Sequence, residues 1–194
     1  MEKHLHGLLL LVIATALYIN VKTEEKSKEI AIAAPAYEEF NIGITPHYRT
    51  TVTKQLEVLL ADVYLLYTKT LKYHWNVEGP FFNDLHKFFA QLYEQQFTMI
   101  DRVAERIRAL GTKSPGSLAE FSQKSTLKEA PGKHLSAQAM ILDLLSDYQS
   151  IIRAMRSIAQ NSATSNDAGT NNFMGDLIEK SEKTAWMLRA LRTQ

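Results

Sequence analysis

Residues 56–76 read LEVLLADVYLLYTKTLKYHWN, and their apolar spacing decides the class of fold. Leu56, Leu59, Leu60, Val63, Tyr67 and Leu71, with polar Thr70 in register and His74 at the end, recur at i, i+3, i+4 and i+7. That is the period of a helix with one buried face, and neither Gly nor Pro interrupts it. Upstream, Thr45 can cap this helix with Pro46 at its first position. Downstream, Gly79-Pro80 stops it. Working outward, a second helix is predicted from about Phe82 to Leu110, with Leu85, Phe89, Leu92, Met99, Val103 and Ile107 on one face and Gly111 as its stop. Segment 112–133 holds Pro115, Gly116, Pro131 and Gly132 and reads as a loop with a short helix at Ser117–Ser125. A third helix is expected over about Ser136–Ala159 and, after a polar run at 160–172, a fourth over Phe173–Leu191. The economical architecture is all-α: a four-helix bundle with a short extra helix between helices two and three. Trp186, Met187, Leu188 and Leu191 are expected to pack the last helix on the core. Asp62, inside an apolar stretch, is expected to be buried and hydrogen-bonded.

Composition narrows the chemistry. The 194 residues suffice for one domain with a sizeable core. The absence of cysteine excludes disulfides, thiolate metal sites and cysteine nucleophiles. Lys+Arg 22 against Asp+Glu 21 leaves a net charge of +1, which exerts no long-range pull on nucleic acid or anionic membrane. Residues 1–40 stand apart as an N-terminal extension. Their apolar segment, residues 7–19, is short of the ~20 residues of a stable membrane span. It has the length of a secretory apolar core, and Ala14-Thr15-Ala16 resembles a cleavage site, but Lys3 is offset by Glu2. A signal peptide, a tether and an extension from an upstream start codon all remain open. The run VKTEEKSKE at 21–29 reads as an exposed linker, and the folded domain is expected over 41–194.

Four side chains suit a metal. His86, Tyr93, Phe97, Asp101 and Glu105 form a second stripe on the second helix, and Asp101 and Glu105 project one turn apart. With His74, at the end of the first helix, they offer two imidazoles and two carboxylates, a donor set for iron or manganese. Helical rise sets a limit on their meeting. If the Gly79-Pro80 turn packs the two helices antiparallel, both histidines lie near that turn, while Asp101 lies about 22 Å further down the rod at ~1.5 Å per residue. One chain therefore cannot place all four on one ion, whereas two chains related by a two-fold axis can, making two equal sites. Phe81, Phe82, Phe88 and Phe97 would give such a contact apolar area to bury. The alternative is ordinary: a carboxylate pair beside Arg102, Arg106 and Arg108 forms a solvated, salt-bridged face, and the histidines are structural. No Glu precedes a His by three residues, which excludes the Glu-x-x-His di-iron site of other bundles.

The runs LKYHWNVEGPFFNDLHKFF (71–89), MIDRVAERIRALG (99–111) and EKTAWMLRAL (182–191), with NIGITPHYR at 41–49, resemble the bacterial miniferritins of the Dps (DNA protection during starvation) family. The likeness covers residues 41–194. It implies a ferritin-like four-helix bundle, a homo-oligomer of twelve copies forming a hollow shell, and ferroxidase centres at two-fold interfaces. Such proteins oxidise Fe(II), preferably with hydrogen peroxide, and keep the ferric product as mineral. Position by position, His74 and His86 match the histidine ligands, Asp101 and Glu105 the carboxylates, and Trp75 the tryptophan beside the centre. Four residues after the second histidine, where such chains carry Asp or Glu, stands Ala90, so the second iron position should be weaker. Glu94 lies a turn further, at an unfavourable offset. Asn171-Asn172 stands where relatives often carry an acidic residue, so the family's acidic pore is not assigned. The tail lacks the lysine-rich composition of DNA-binding members, so DNA binding is expected to be weak or absent. The alternative function is a DNA-coating nucleoid protein with a weak or inactive centre. The expected location is cytoplasmic, unless residues 7–19 export or tether the chain.

Overall fold

The computed structural model describes residues 40–129 and 131–192. The expectations for residues 7–19 and the linker therefore lie outside the described residues. The fold lies within the compact unit Ile42–Gln194.

Among the described residues there are five helices: α1 (Pro46–Asn76), α2 (Phe82–Ala109), α3 (Leu118–Lys124), α4 (Ala137–Thr164) and α5 (Ala168–Ala190). The arrangement is all-α, four long helices with the short α3 in the connection from α2 to α4. None of them is long and apolar enough to cross a membrane. Thr45 caps α1, accepting from the backbone N–H of Tyr48, and Pro46 takes the first turn, where its missing N–H costs nothing. The α1–α2 turn depends on Gly79, whose φ of +109° a side chain would oppose, and whose carbonyl accepts from the Phe82 N–H at 3.0 Å. Ser117 and Glu120 close a reciprocal capping box on α3. The short helix thus falls where expected, with Ser117 and Ser125 as its caps.

The hairpins α1–α2 and α4–α5 pack most closely, and α1 joins them by lying against α4 and α3. Leu85, Phe89, Leu92, Met99, Val103 and Ile107 on α2 are all buried, as their period requires. On α1 the buried row starts at Val52, Leu56, Leu59, Leu60 and Val63 but continues through Leu66, Thr70 and Tyr73. Tyr67 and Leu71, expected in the core, are only half-buried. A 3.6-residue turn drifts relative to a seven-residue repeat, so a long helix rotates its stripe. That drift turns Tyr67 and His74 toward the outer seam with α2.

The fourth-helix boundary differs from expectation. The polar run 160–172 is mostly helical, with α4 reaching Thr164, α5 starting at Ala168, and only Ser165–Asp167 between them. Three of its polar side chains face inward. Ser162, Asp167 and Thr170 are buried, with the Tyr48 hydroxyl 2.9 Å from Ser162 Oγ and 3.1 Å from Asp167. Asp167 caps α5 through the Thr170 N–H at 2.9 Å and takes an ion pair from Arg106 at 2.9 Å. The last helix also packs differently: Leu188 is buried, whereas Trp186 is 59% and Leu191 41% exposed.

Two further polar clusters hold helices together. Asp62 is buried, as expected, and accepts from Ser125 Oγ (2.7 Å), Thr126 N (2.6 Å), Thr126 Oγ1 (2.8 Å) and Leu127 N (3.2 Å), pinning the exit of α3 to α1. Lys69 reaches Asp147 at 2.5 Å and Asp143 at 2.7 Å, and the Tyr73 hydroxyl donates to Asp143 at 2.6 Å, joining α1 to α4. Burial, reinforced by Asp143, pushes the Tyr73 phenol up, so it stays protonated as the donor.

Burial works against the charge of Asp167, but donation from Thr170, the Arg106 guanidinium and Tyr48 outweigh it and hold the carboxyl below its ordinary value of 3.8. A depressed pKa contributes stability above the unfolded value that is lost as pH falls through the folded one. Asp167→Ala should cost about 3 kcal/mol in urea unfolding at neutral pH, through the lost cap and the stranded arginine. That penalty should shrink as pH falls below the ordinary aspartate value of 3.8 and on through the lower value of the folded carboxyl. An equal penalty at pH 7 and pH 3 would contradict this role.

Candidate metal centre

The α1–α2 turn brings the two histidines together. Their rings stack with centroids 3.8 Å apart and planes 21° from parallel. Each Nδ1 lies against the other residue's backbone carbonyl: His74 Nδ1 to His86 O at 2.8 Å, and His86 Nδ1 to His74 O at 2.9 Å. A carbonyl oxygen only accepts, so each Nδ1 carries the hydrogen and each neutral ring keeps its lone pair on Nε2. The backbone thus sets the tautomer of both imidazoles and leaves both Nε2 atoms available as metal donors. Phe82 stacks on His86 at 5.1 Å, and Tyr93 meets His74 edge-on at 5.3 Å, so aromatic neighbours hold both rings. Trp75, next along α1, is 68% exposed.

The carboxylates are elsewhere. Asp101 and Glu105 are exposed one turn apart on α2, and among the described residues no three His, Asp or Glu side chains come together as a metal site. The structure therefore pairs His74 with His86 and leaves both apart from Asp101 and Glu105, as rod length requires. The three neighbouring arginines do not pair with these carboxylates. Arg102 turns to Asp176 at 2.7 Å, Arg106 to Asp167 at 2.9 Å, and Arg108 to the carbonyl of Thr112 at 3.0 Å. No side-chain hydrogen bond or ion pair among the described residues engages Asp101 or Glu105. Two adjacent carboxylates kept free of three neighbouring arginines form a local concentration of negative charge suited to a cation. Asp176, paired with Lys180 as well as Arg102, is held below the usual carboxylate range by those donors, which keeps that diversion intact at neutral pH.

Aromatic side chains surround these groups. Phe81 and Phe97 are largely exposed and Phe82 about half, whereas Phe88 is half-buried and packs against the core. Ala90 is half-buried and offers no donor atom, and Glu94 is exposed. Sequence reasoning missed the two carbonyls that lock the imidazoles. No residue type signals them, since they depend on how the end of α1 meets the start of α2.

Comparison with known proteins bears on the family of the chain. A ferritin-like domain model matches residues 53–194. An uncharacterized low temperature-induced protein of Nostoc is 43% identical over 151 residues, 77% of this chain and 84% of that protein. DNA protection during starvation protein 2 of Bacillus anthracis is 34% identical over 143 residues, 74% of this chain and 97% of that protein. The crystal structure of a Vibrio cholerae Dps protein, described as one of the ferritin-like diiron-carboxylate proteins, superposes with a TM-score of 0.74. It shares 29% identity and covers 77% of this chain and 93% of its own.

Nitrogen-15 NMR of histidine-labelled protein should show His74 and His86 in the Nδ1–H form when neutral. An Nε2–H majority at either ring would contradict the reciprocal carbonyl lock.

Proposed function

This chain belongs to the Dps family of ferritin-like proteins, and we propose that it is a ferroxidase and iron store that oxidises Fe(II) with hydrogen peroxide. The observation that carries this reading is the complementary division of donors: two locked imidazoles at one end of the α1–α2 hairpin, two unpaired carboxylates toward the other. Each half lacks what the other supplies. In a two-fold pair, His74 and His86 of one subunit meet Asp101 and Glu105 of the partner subunit, giving two equal centres.

Iron is the substrate at these centres. Imidazole nitrogens suit Fe(II), and carboxylate oxygens favour the harder Fe(III), so the mixed set lowers the cost of oxidation. Nε2 of His74 and His86 orient the ion, while Asp101 and Glu105 neutralise its growing charge. Trp75 lies beside the centre. Ala90 contributes no donor, so each centre holds one iron firmly and a second weakly. Peroxide, a two-electron oxidant, suits so small a complement better than dioxygen, which needs four electrons to reach water. Twelve copies closing into a shell would keep the ferric product as mineral, protecting the cell from iron and peroxide together. On this reading the protein works in the cytoplasm. A net charge of +1 gives little phosphate neutralisation, so DNA binding is weak or absent.

The double variant Asp101→Ala, Glu105→Ala should assemble like the parent but lose at least about 100-fold in the initial rate of peroxide-driven Fe(II) oxidation, the scale expected when essential metal-holding groups are removed. Stopped-flow ferric absorbance measures it. Oxidation as fast as the parent's would remove the site assignment, and DNA retardation by that variant at moderate salt would then favour the DNA-coating function.

A further inference from the structure

Three phenols follow one another along the outer seam of α1 and α2, starting at His74. The Tyr93 ring meets His74 at 5.3 Å, Tyr67 lies 6.4 Å from Tyr93, and Tyr64 lies 6.1 Å from Tyr67, all between ring centroids. All three are half-buried. Their hydroxyls make no hydrogen bond to protein among the described residues, so phenylalanine would pack as well at each place. The file also has a destination. Tyr64 lines the same surface cavity as Asp101. One end of the file thus meets His74 and the other shares a cavity with Asp101.

We propose that Tyr93, Tyr67 and Tyr64 form an electron path between the two iron centres of a dimer. The proposal rests on the ferroxidase reading above, in which the histidines and carboxylates of one subunit serve different centres. A centre with two imidazoles, two carboxylates and an alanine at position 90 holds one iron firmly, and one Fe(II) supplies one electron. Peroxide given a single electron breaks its O–O bond to release hydroxyl radical. The tyrosine file supplies the second electron instead. With ArOH for a phenol of the file, the first step is Fe(II) + H2O2 + ArOH → Fe(III) + ArO• + OH− + H2O. The O–O bond and the phenol O–H bond break, and the phenolic proton ends on the released oxygen. The second step restores the phenol from the other centre: ArO• + Fe(II) + H+ → ArOH + Fe(III). Two separate single-iron centres thereby act together as one two-electron reductant.

The test uses the assembled protein and phenylalanine variants, which keep each ring and hence the packing. Fe(II) is added below one per centre, then hydrogen peroxide, and samples are freeze-quenched for electron paramagnetic resonance. The parent should show a tyrosyl radical, which Tyr93→Phe abolishes and Tyr67→Phe prolongs by stranding the radical at Tyr93. With all centres filled, Tyr93→Phe should halve the iron oxidised per peroxide consumed and deliver hydroxyl radical to a spin trap. No radical in the parent and unchanged stoichiometry in Tyr93→Phe would overturn the path. If Asp101→Ala, Glu105→Ala still abolished oxidation in that case, the ferroxidase reading would stand alone. A parent that oxidises Fe(II) no faster than buffer would overturn both.

Discussion

An α-helix advances ~1.5 Å per residue, and this rise dictates where the chemistry of this molecule can occur. His74 and His86 are held at the α1–α2 turn, and Asp101 follows His86 on the same straight helix. No bending of α2 brings them together: its buried row from Leu85 to Ile107 is continuous, with neither Gly nor Pro within. A site needing all four residues must borrow across a symmetry axis. On the proposed function, activity then becomes inseparable from assembly, since each subunit supplies half of a centre.

The rest of the structure serves those halves. The turn at Gly79 lets the histidine carbonyls and Nδ1 atoms exchange hydrogen bonds, so each ring is oriented by backbone rather than by a partner side chain. At the other half, the arginines that could have quenched the carboxylates are employed elsewhere. Arg106 closes the buried cluster of Tyr48, Ser162, Asp167 and Thr170, and Arg102 spans to Asp176 on α5. Interactions that stabilise the bundle thus keep Asp101 and Glu105 free. The aromatics of the seam hold the imidazole planes and, on the proposal above, also move electrons.

Much of this was legible in the sequence because its signals are periodic or local. The α2 stripe, the Thr45-Pro46 start, the Ser117 cap and the Gly79 turn follow from spacing and backbone preference. The separation of histidines from carboxylates followed from residue count alone. What was not legible depended on tertiary contact. The polar run 160–172 reads as a loop by composition, yet Ser162 and Thr170 sit inside helices because Tyr48 and Arg106, more than 50 residues away, give them buried partners. The exposure of Trp186 could not be foreseen from apolar character, since nearby Leu188 takes the core position. The destinations of Arg102 and Arg106 were hidden for the same reason, because both partners lie on the α4–α5 hairpin.

The central claim is that each centre is shared between two subunits, and mixing two disabled chains tests it most directly. One carries His74→Ala, His86→Ala and the other Asp101→Ala, Glu105→Ala, and the two are assembled together in equal amounts. Tight Fe(II) binding is then measured by calorimetry. Each variant alone should bind almost none. Random pairing should restore about a quarter of the parent's sites, because half the dimers are mixed and each mixed dimer regains one whole centre. A mixture that binds no more iron than its two components separately would contradict the shared centre.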